Sequence, residues 1–331
     1  MNAVRRHWLV TVVMVLALAL LAGAACQKAP QQAKYPTKPI EFVVPFNPGG
    51  GSDILARNIV AVIEAEKLLP QPVQVVNKAG GSGAVGYGYL AEKKGDPYYI
   101  GTVSSSFWTT PLLGGAPFNY TMFTPVAGLC YDSYVLLVRQ DSKFASLEDV
   151  LNAMKDKPEG LTIGATGVSS DDRVVTYLLE KAANVKFKLV PFQSGGEVMT
   201  ALLGGHIDLA WANPGEARGQ LDAKQARGLA VAAEKRLEGL PDVPTFNEKG
   251  INLVFRQLRG VVMPAGAPED AVKVMEEALK KVSESPKWKT DYVKKNDLVP
   301  TFLGAAEFKT AIEQMNNTYK QVFEELGVLK K

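Results

Sequence analysis

Short apolar segments alternate along the chain with glycine-rich loops and amphipathic segments. Residues 40–44 predict a buried strand, and apolar positions spaced three and four apart predict a helix over 53–67. Further strands are predicted over 73–76, 98–103, 134–138, 161–164, 187–190, 207–211 and 228–233. Further helices are predicted over 147–155, 171–183, 197–203, 268–283 and 305–326, and the segment 254–263 is expected to carry the chain back to the first unit. Such alternation predicts α/β layering with largely parallel sheets.

The N-terminal residues have the pattern of an export signal. Arg5 and Arg6 precede an apolar run of fourteen residues, 8–21, which suits a signal peptide and is short for a transmembrane helix. We therefore assign 1–25 to a signal peptide and expect a location in the periplasm or on the outer face of the cell membrane. Cys26 follows small residues and is the predicted lipid-attachment site. The alternative is ordinary cleavage that releases an unanchored protein.

Composition limits the chemistry of the exported part. The chain has two cysteines and two histidines, and only Cys130 and His206 lie beyond the predicted leader and its cysteine. This excludes a zinc site of clustered Cys and His, and we expect no metal and no cofactor. The net charge of +3 falls to +1 without Arg5 and Arg6 (3 − 2 = 1), which gives no reason to expect nucleic-acid binding. We interpret Cys130 as a buried thiol and His206, between a helix and a strand, as structural.

The loops that follow strands are the candidate ligand sites, because ligands of open α/β sheets lie beyond the carboxyl ends of the strands. The loop 45–53 has three consecutive glycines before a predicted helix, so backbone N–H groups and the helix dipole favour an anion there. In the alternative interpretation Ser52 or Asp53 only caps the helix. The loop 167–170 repeats this arrangement, again with capping as the alternative.

One glycine motif is a weak match to a nucleotide site. Residues 81–86 fit the dinucleotide-binding pattern, but four residues separate them from the preceding strand. No acidic residue ends the next strand, where a ribose would be bound. The sequence therefore predicts no dinucleotide.

Several motifs together resemble a known family. They are Tyr35-Pro36-Thr37-Lys38-Pro39-Ile40, Val43 to Phe46 with Pro48 to Gly51 and Asp53, Asn77 with Gly80, Gly83 and Gly86, Ala201 to Asp208, Leu240 to Thr245, and Pro264 to Pro268. In this order they resemble the substrate-binding proteins of tripartite tricarboxylate transporters, the Bug family. Arg173 departs from the family pattern, which often has histidine there.

The resemblance implies an α/β, two-lobed periplasmic binding protein fold of type II-like form, with each lobe a mostly parallel sheet flanked by helices. After a tether over 26–34, lobe 1 would comprise 35–138 and 258–331, and lobe 2 would comprise 139–257. The ligand would lie between the lobes. The implied ligand-binding residues are Phe46, Asn47, Pro48, Gly49, Gly50, Gly51, Ser52, Asp53, Ser104, Ser105, Ser106, Gly167, Val168, Ser169 and Ser170, and we add Asn213, which follows the strand 207–211.

The implied function is capture of a small organic carboxylate, a di-, tri- or aromatic carboxylate, for a large and a small membrane component. The chain would be a monomer without enzymatic activity and would reach the membrane only through a lipid at Cys26. Two alternatives remain: a secreted hydrolase that uses His206 and a serine, and a receptor that presents its ligand to a sensor kinase.

Overall fold

A computed structural model describes residues 35–114, 116–166, 170–192 and 194–330. The strands are β1 Ile40–Val44, β2 Val73–Asn77, β3 Tyr99–Val103, β4 Phe123–Ser133, β5 Val135–Arg139, β6 Thr162–Ala165, β7 Lys188–Pro191, β8 Leu209–Ala212, β9 Ala226–Val231, β10 Arg256–Pro264 and β11 Val299–Leu303. The longer helices are α1 Gly51–Ala65, α2 Ala84–Ala91, α3 Ser106–Leu112, α4 Leu147–Asp156, α5 Asp171–Ala183, α6 Gly195–Leu203, α7 Pro214–Asp222, α8 Glu269–Glu284 and α9 Ala305–Glu325.

The strands form two sheets, which confirms the two-lobed α/β fold. The first has the order β11-β4-β10-β3-β1-β2 and the second β7-β6-β8-β5-β9. The expectation of mostly parallel sheets is wrong, because each sheet is mixed. Pairs joined through a helix are parallel, as β1 is with β2 and β6 with β7. By contrast, β4 and β10 are antiparallel because the chain leaves the first sheet along β4 and returns along β10.

The strand predicted over 134–138 belongs to the second sheet and not, as expected, to lobe 1. Val135 pairs with Ala212 of β8 and with Val231 of β9. Only Tyr134 separates β4 from β5, so the chain crosses between the sheets at that residue and crosses back where β10 begins. We therefore propose 134–255 as lobe 2, and the remaining described residues as lobe 1.

The helices bury one face each. In α1, Leu55, Ile59 and Ile63 recur at helical spacing and are almost fully buried against the first sheet. Each such side chain contributes about 1.5–3 kcal/mol to folding. The helix begins at Gly51, two residues before the predicted start of the helix. Among the described helices, none combines the length and the apolar character that a membrane span requires.

Candidate functional site

Asp53 organises the first glycine loop. Its Oδ2 accepts hydrogen bonds from the Gly49 N–H at 2.9 Å and from Arg57 Nε at 2.8 Å, and its Oδ1 accepts one from Asn77 Nδ2 at 2.9 Å. The side chain is 3% exposed. Burial raises the pKa of Asp53, but the hydrogen bonds from Arg57, Gly49 and Asn77 outweigh it and hold the pKa below its usual value. Asp53 therefore stabilises the loop, and both of its carboxylate oxygens are occupied by hydrogen bonds from the protein.

The start of α1 offers unpaired donors to the cleft. No side chain caps this helix, and Gly50 precedes it in an extended conformation. Within the described residues, the N–H groups of Gly51, Ser52 and Asp53 have no acceptor. Of the predicted loop residues, Asn47, Pro48, Gly49, Gly50 and Gly51 are exposed, Phe46 is half-buried, and Ser52 and Asp53 are buried. The exposed glycines and free donors form a surface suited to an anion.

Arg259 of β10 lies against this loop. A methyl group added to Gly51 would be 3.1 Å from Arg259 Nη1. The antiparallel pairing of β10 with β3 explains the contact, because the start of β10 lies beside the carboxyl end of β3. Arg259 is 7% exposed and its Nε donates to Asp132 Oδ2 at 3.1 Å. Burial alone would lower the pKa of Arg259, but the charge of Asp132 raises it above its usual value, so a cation is held at the loop.

Of the predicted residues of the second lobe, the structure describes Ser170 and Asn213, which follow the carboxyl ends of β6 and β8. Asn213 follows β8 and donates through Nδ2 to the carbonyl of Ser133 at 3.0 Å, where β4 ends. After β6, the Thr166 N–H donates to Asp172 Oδ2 at 2.6 Å, and Ser170 stands at the start of α5. The structure thus brings Asn213 to the crossing between the lobes. The other predicted residues of this loop, Gly167, Val168 and Ser169, lie outside the described residues.

The three serines after β3 are not equally accessible. The Ser104 hydroxyl is 3.1 Å from the Tyr87 hydroxyl and 3.4 Å from the Ser106 hydroxyl. Ser104 and Ser106 are buried, whereas Ser105 is half-buried at the start of α3. Ser104 and Ser106 therefore belong to the interior of lobe 1, whereas Ser105 keeps an accessible surface at the end of β3.

A buried carboxylate joins the lobes behind the cleft. Asp171 of α5 accepts hydrogen bonds from Tyr134 at 2.9 Å, from Gln257 at 3.2 Å and from Tyr319 of α9. Burial raises the pKa of Asp171 to about 6, although the tyrosine hydrogen bonds act in the opposite direction. The first turn of α5 is therefore tied to both crossing segments and to lobe 1.

Sequence reasoning missed Arg259 and Asp132, the buried ion pair beside the first glycine loop. Arg259 had a recognisable pattern, since it is the only charged residue in the apolar run 258–263. Asp132 likewise follows the apolar stretch that ends at Cys130.

The remaining candidates lie away from the cleft. His206 is exposed just past the carboxyl end of α6, whereas the cleft faces the N-terminal end of that helix. Cys130 is a buried free thiol whose pKa burial raises to about 12. The described residues contain no cluster of three or more Cys, His, Asp or Glu side chains that could hold a metal ion.

A separate groove lies between the lobes. Its cavity of about 1120 Å³ is bordered by 233–239 of lobe 2 and 293–295 of lobe 1, and it includes none of the predicted ligand-binding residues. An ion pair between Arg218 and Asp297 joins the two lobes there. Contact between the lobes is therefore not confined to the two crossing strands.

Comparisons with known proteins give one consistent family. A family model described as the tripartite tricarboxylate transporter family receptor matches residues 56–328. The UPF0065 protein in the gbd 5′ region of Cupriavidus necator is 29% identical, over 98% of this chain and 99% of the relative. Protein BugT of Bordetella pertussis is 27% identical over 65% of this chain and 67% of its own length. The crystal structure of a TctC solute binding protein from Polaromonas superposes with a TM-score of 0.77 at 28% identity, covering 88% of this chain and all of that one.

Proposed function

Because this chain belongs to the tripartite tricarboxylate transporter receptor family, we propose that it captures a small organic carboxylate between its lobes and delivers it to a tripartite transporter. Membership confirms the resemblance to the Bug family that the sequence motifs suggested. It also identifies the chain as a solute-binding receptor of a periplasmic family rather than an enzyme, so the hydrolase alternative is wrong.

The observation that carries the carboxylate proposal is the start of α1. Unpaired N–H groups at Gly51 and Ser52 lie beside the cation of Arg259, and a carboxylate would accept hydrogen bonds from both kinds of donor. From the second lobe, Asn213 donates to the Ser133 carbonyl, next to Asp132, which pairs with Arg259. A ligand that contacts both lobes binds the closed form better than the open form, so it shifts the population towards closure.

A matched pair of glycine variants tests the site. A methyl group at Gly51 would lie 3.1 Å from Arg259 Nη1, between the loop and its cation, whereas at Gly50 it would meet only the Asn47 carbonyl at 3.6 Å. We expect Gly51→Ala to weaken carboxylate binding by at least about tenfold, equivalent to 1.4 kcal/mol, and Gly50→Ala to leave it nearly unchanged.

Calorimetry should follow release of any co-purified ligand by unfolding and refolding. Di-, tri- and aromatic carboxylates are the probes, and mass spectrometry of the released ligand identifies the natural one. Absence of binding to every carboxylate, together with a released ligand that lacks a carboxylate, would overturn the proposal.

We propose a large and a small membrane component as the partners. Cross-linking of the ligand-loaded protein in cells should capture these components, and reconstituted uptake should require them. Capture of a sensor kinase in their place would favour the signalling alternative. Size-exclusion chromatography with light scattering tests the proposed monomer.

The export proposal concerns residues outside the described part of the chain. We propose that 1–25 are removed and that the Cys26 thiol is then acylated, with 26–34 as a tether. Metabolic labelling with a fatty acid should mark the parent protein and not Cys26→Ser. Equal labelling of both would contradict the lipid assignment.

A further inference from the structure

The groove between the lobes lies on the opposite side of the crossing strands from the glycine loop. In the first sheet, β4 and β10 stand between β1, which leads into the loop, and β11, which follows the groove residues 293–295. In the second sheet, β5 stands between β8, which leads to Asn213, and β9, which leads to 233–239. The proposed ligand cleft and the groove therefore open on the two sides of the same pair of crossing segments.

An ion pair joins α7 of lobe 2 to lobe 1 in this groove. Arg218 of α7 pairs with Asp297, which precedes β11 and whose side chain is only 5% exposed. The Arg218 guanidinium also donates to the Gly239 carbonyl at 3.1 Å, which fixes its position. Its second acidic neighbour, Asp222, is 3.6 Å away and exposed. Because Asp297 is buried, loss of the ion pair would leave its charge uncompensated unless water reaches the carboxylate.

Close backbone packing accompanies the ion pair. A methyl group added to Gly215, in the first turn of α7, would lie 3.0 Å from both the Cα and the carbonyl oxygen of Asn296. A side chain at this position would therefore push α7 away from the segment 296–297 of lobe 1, because these atoms move only with their backbone. Gly219 lies one turn further along the same helix, and a methyl group there would meet none of the described residues within 4 Å.

Closure of the ligand cleft would separate these contacts. A rotation about the crossing segments that brings the two sides of the cleft together moves the two sides of the groove apart, because the segments lie between cleft and groove. The ion pair of Arg218 with Asp297 and the contact of Gly215 with lobe 1 thus belong to the open arrangement of the lobes. Contacts made in only one of two conformations favour that conformation, and the ligand must offset them to close the cleft.

We propose that Gly215, Arg218 and Asp297 set the affinity of the receptor for its ligand from outside the ligand site, by holding the lobes open. This inference rests on the proposed function, capture of a carboxylate by closure of the lobes. None of the three is among the predicted ligand-binding residues, so their substitution leaves the proposed carboxylate donors at Gly51 and Arg259 in place. Loss of their contacts raises the population of the closed form in the free protein and so tightens binding.

Two glycine variants of α7 test the inference. Succinate, citrate and benzoate are the calorimetric probes, together with the ligand that mass spectrometry identifies in the purified protein, each added to protein freed of co-purified ligand. Gly215→Ala should bind the tightest of these probes at least about threefold more tightly than wild type, because the added methyl group widens the groove. Gly219→Ala adds the same methyl group where there is space for it, and its affinity should stay within about twofold of wild type.

The ion pair gives a second, independent test. Asp297→Asn and Arg218→Gln should each tighten binding, whereas Asp222→Asn, which removes the exposed neighbour of Arg218, should not. Asparagine tolerates the left-handed backbone at position 297, where φ is 51°, so Asp297→Asn should fold. In small-angle X-ray scattering, ligand-free Gly215→Ala and Asp297→Asn should be more compact than ligand-free wild type and closer to the ligand-loaded protein.

The outcomes separate the inference from the proposed function. Unchanged or weaker binding in both Gly215→Ala and Asp297→Asn overturns the inference and leaves carboxylate capture standing. Equal tightening in the controls Gly219→Ala and Asp222→Asn also overturns it, because the effect would then not depend on contacts across the groove. If wild type binds no probe and releases no carboxylate, the proposed function and the inference fail together.

Discussion

Replacing Asp53 by asparagine should loosen the first glycine loop. The carboxylate accepts from Gly49 and Arg57 on one oxygen and from Asn77 on the other, at 2.8–2.9 Å. An asparagine side chain has only one oxygen, and its second terminal atom is an NH2 group. This NH2 group would face at least one of the N–H donors that the carboxylate accepted from. Asn77 cannot simply reverse its own amide, because its Nδ2 also donates to the Phe46 carbonyl at 3.0 Å.

The magnitude follows from the partners that are lost. Hydrogen bonds to charged groups contribute about 1.5–3 kcal/mol each, and a buried donor left unpaired costs a further 1–3 kcal/mol or so. Because asparagine retains part of the network, we expect Asp53→Asn to lower the free energy of unfolding by about 2–4 kcal/mol. Urea denaturation at pH 7, followed by tryptophan fluorescence, measures this change.

Arg57→Gln is the matched control. The Arg57 side chain is 54% exposed, so loss of its ion pair should change the free energy of unfolding by less than about 1 kcal/mol. The lowered pKa of Asp53 means that its contribution is present above the unfolded-state pKa, near 3.9, and is lost as the pH falls through the lower folded-state pKa. The difference between wild type and Asp53→Asn should therefore shrink in acid. An effect of Asp53→Asn no larger than that of Arg57→Gln would refute this account of the loop.

Three further predictions concern the scaffold. Gly86→Ala would bring a methyl group to 2.5 Å from Pro45 Cα and should destabilise the protein by about 1–3 kcal/mol. Gly219→Ala, in α7, would meet nothing within 4 Å and should stabilise the protein by about 0.5–1 kcal/mol. Equal effects of the two variants in urea denaturation would contradict this prediction. The Asp171 pKa of about 6 means that the favourable contribution of this carboxyl is present below pH 4 and is lost as the pH rises through 6. The difference in unfolding free energy between wild type and Asp171→Asn should therefore change by about 2–3 kcal/mol from pH 4 to pH 7. A constant difference would show that the carboxyl titrates normally. In a Cys26→Ser background, Cys130 should resist iodoacetamide at pH 8 in the folded protein and react fully in urea, and rapid native labelling would mean that the thiol is accessible.

Local periodicity predicted the elements well where they pack in a regular way. The helix over 171–183 and the strand over 40–44 have the predicted bounds. The strand β4 was missed because Pro125 and Gly128 interrupt its pattern, and its partner β10 shifts register twice opposite it. Mixed sheets were missed for another reason, since antiparallel pairing of β4 with β10 depends on residues more than a hundred positions apart.

The candidate site was predictable only in its backbone-donor half. Consecutive glycines before a helix indicated the loop at Gly49 to Gly51 without any tertiary information. The charged half depends on which strands cross between the lobes, because Arg259 reaches the loop only through the pairing of β10 with β3. Asp132 likewise lies beside the loop only through its ion pair with Arg259.

The order of strands in the first sheet has a consequence for biogenesis. The second sheet comes from one continuous stretch, 135–231, whereas β10 and β11 of the first sheet follow it in the chain. During synthesis, which starts at the N-terminus, lobe 2 can complete its sheet while β3 and β4 still lack β10, the strand that lies between them. Their exposed edges are open to pairing with other chains until residue 264 has emerged. Lobe 1, which carries the glycine loop, therefore completes its sheet after lobe 2 and is the part that needs protection for longer during synthesis.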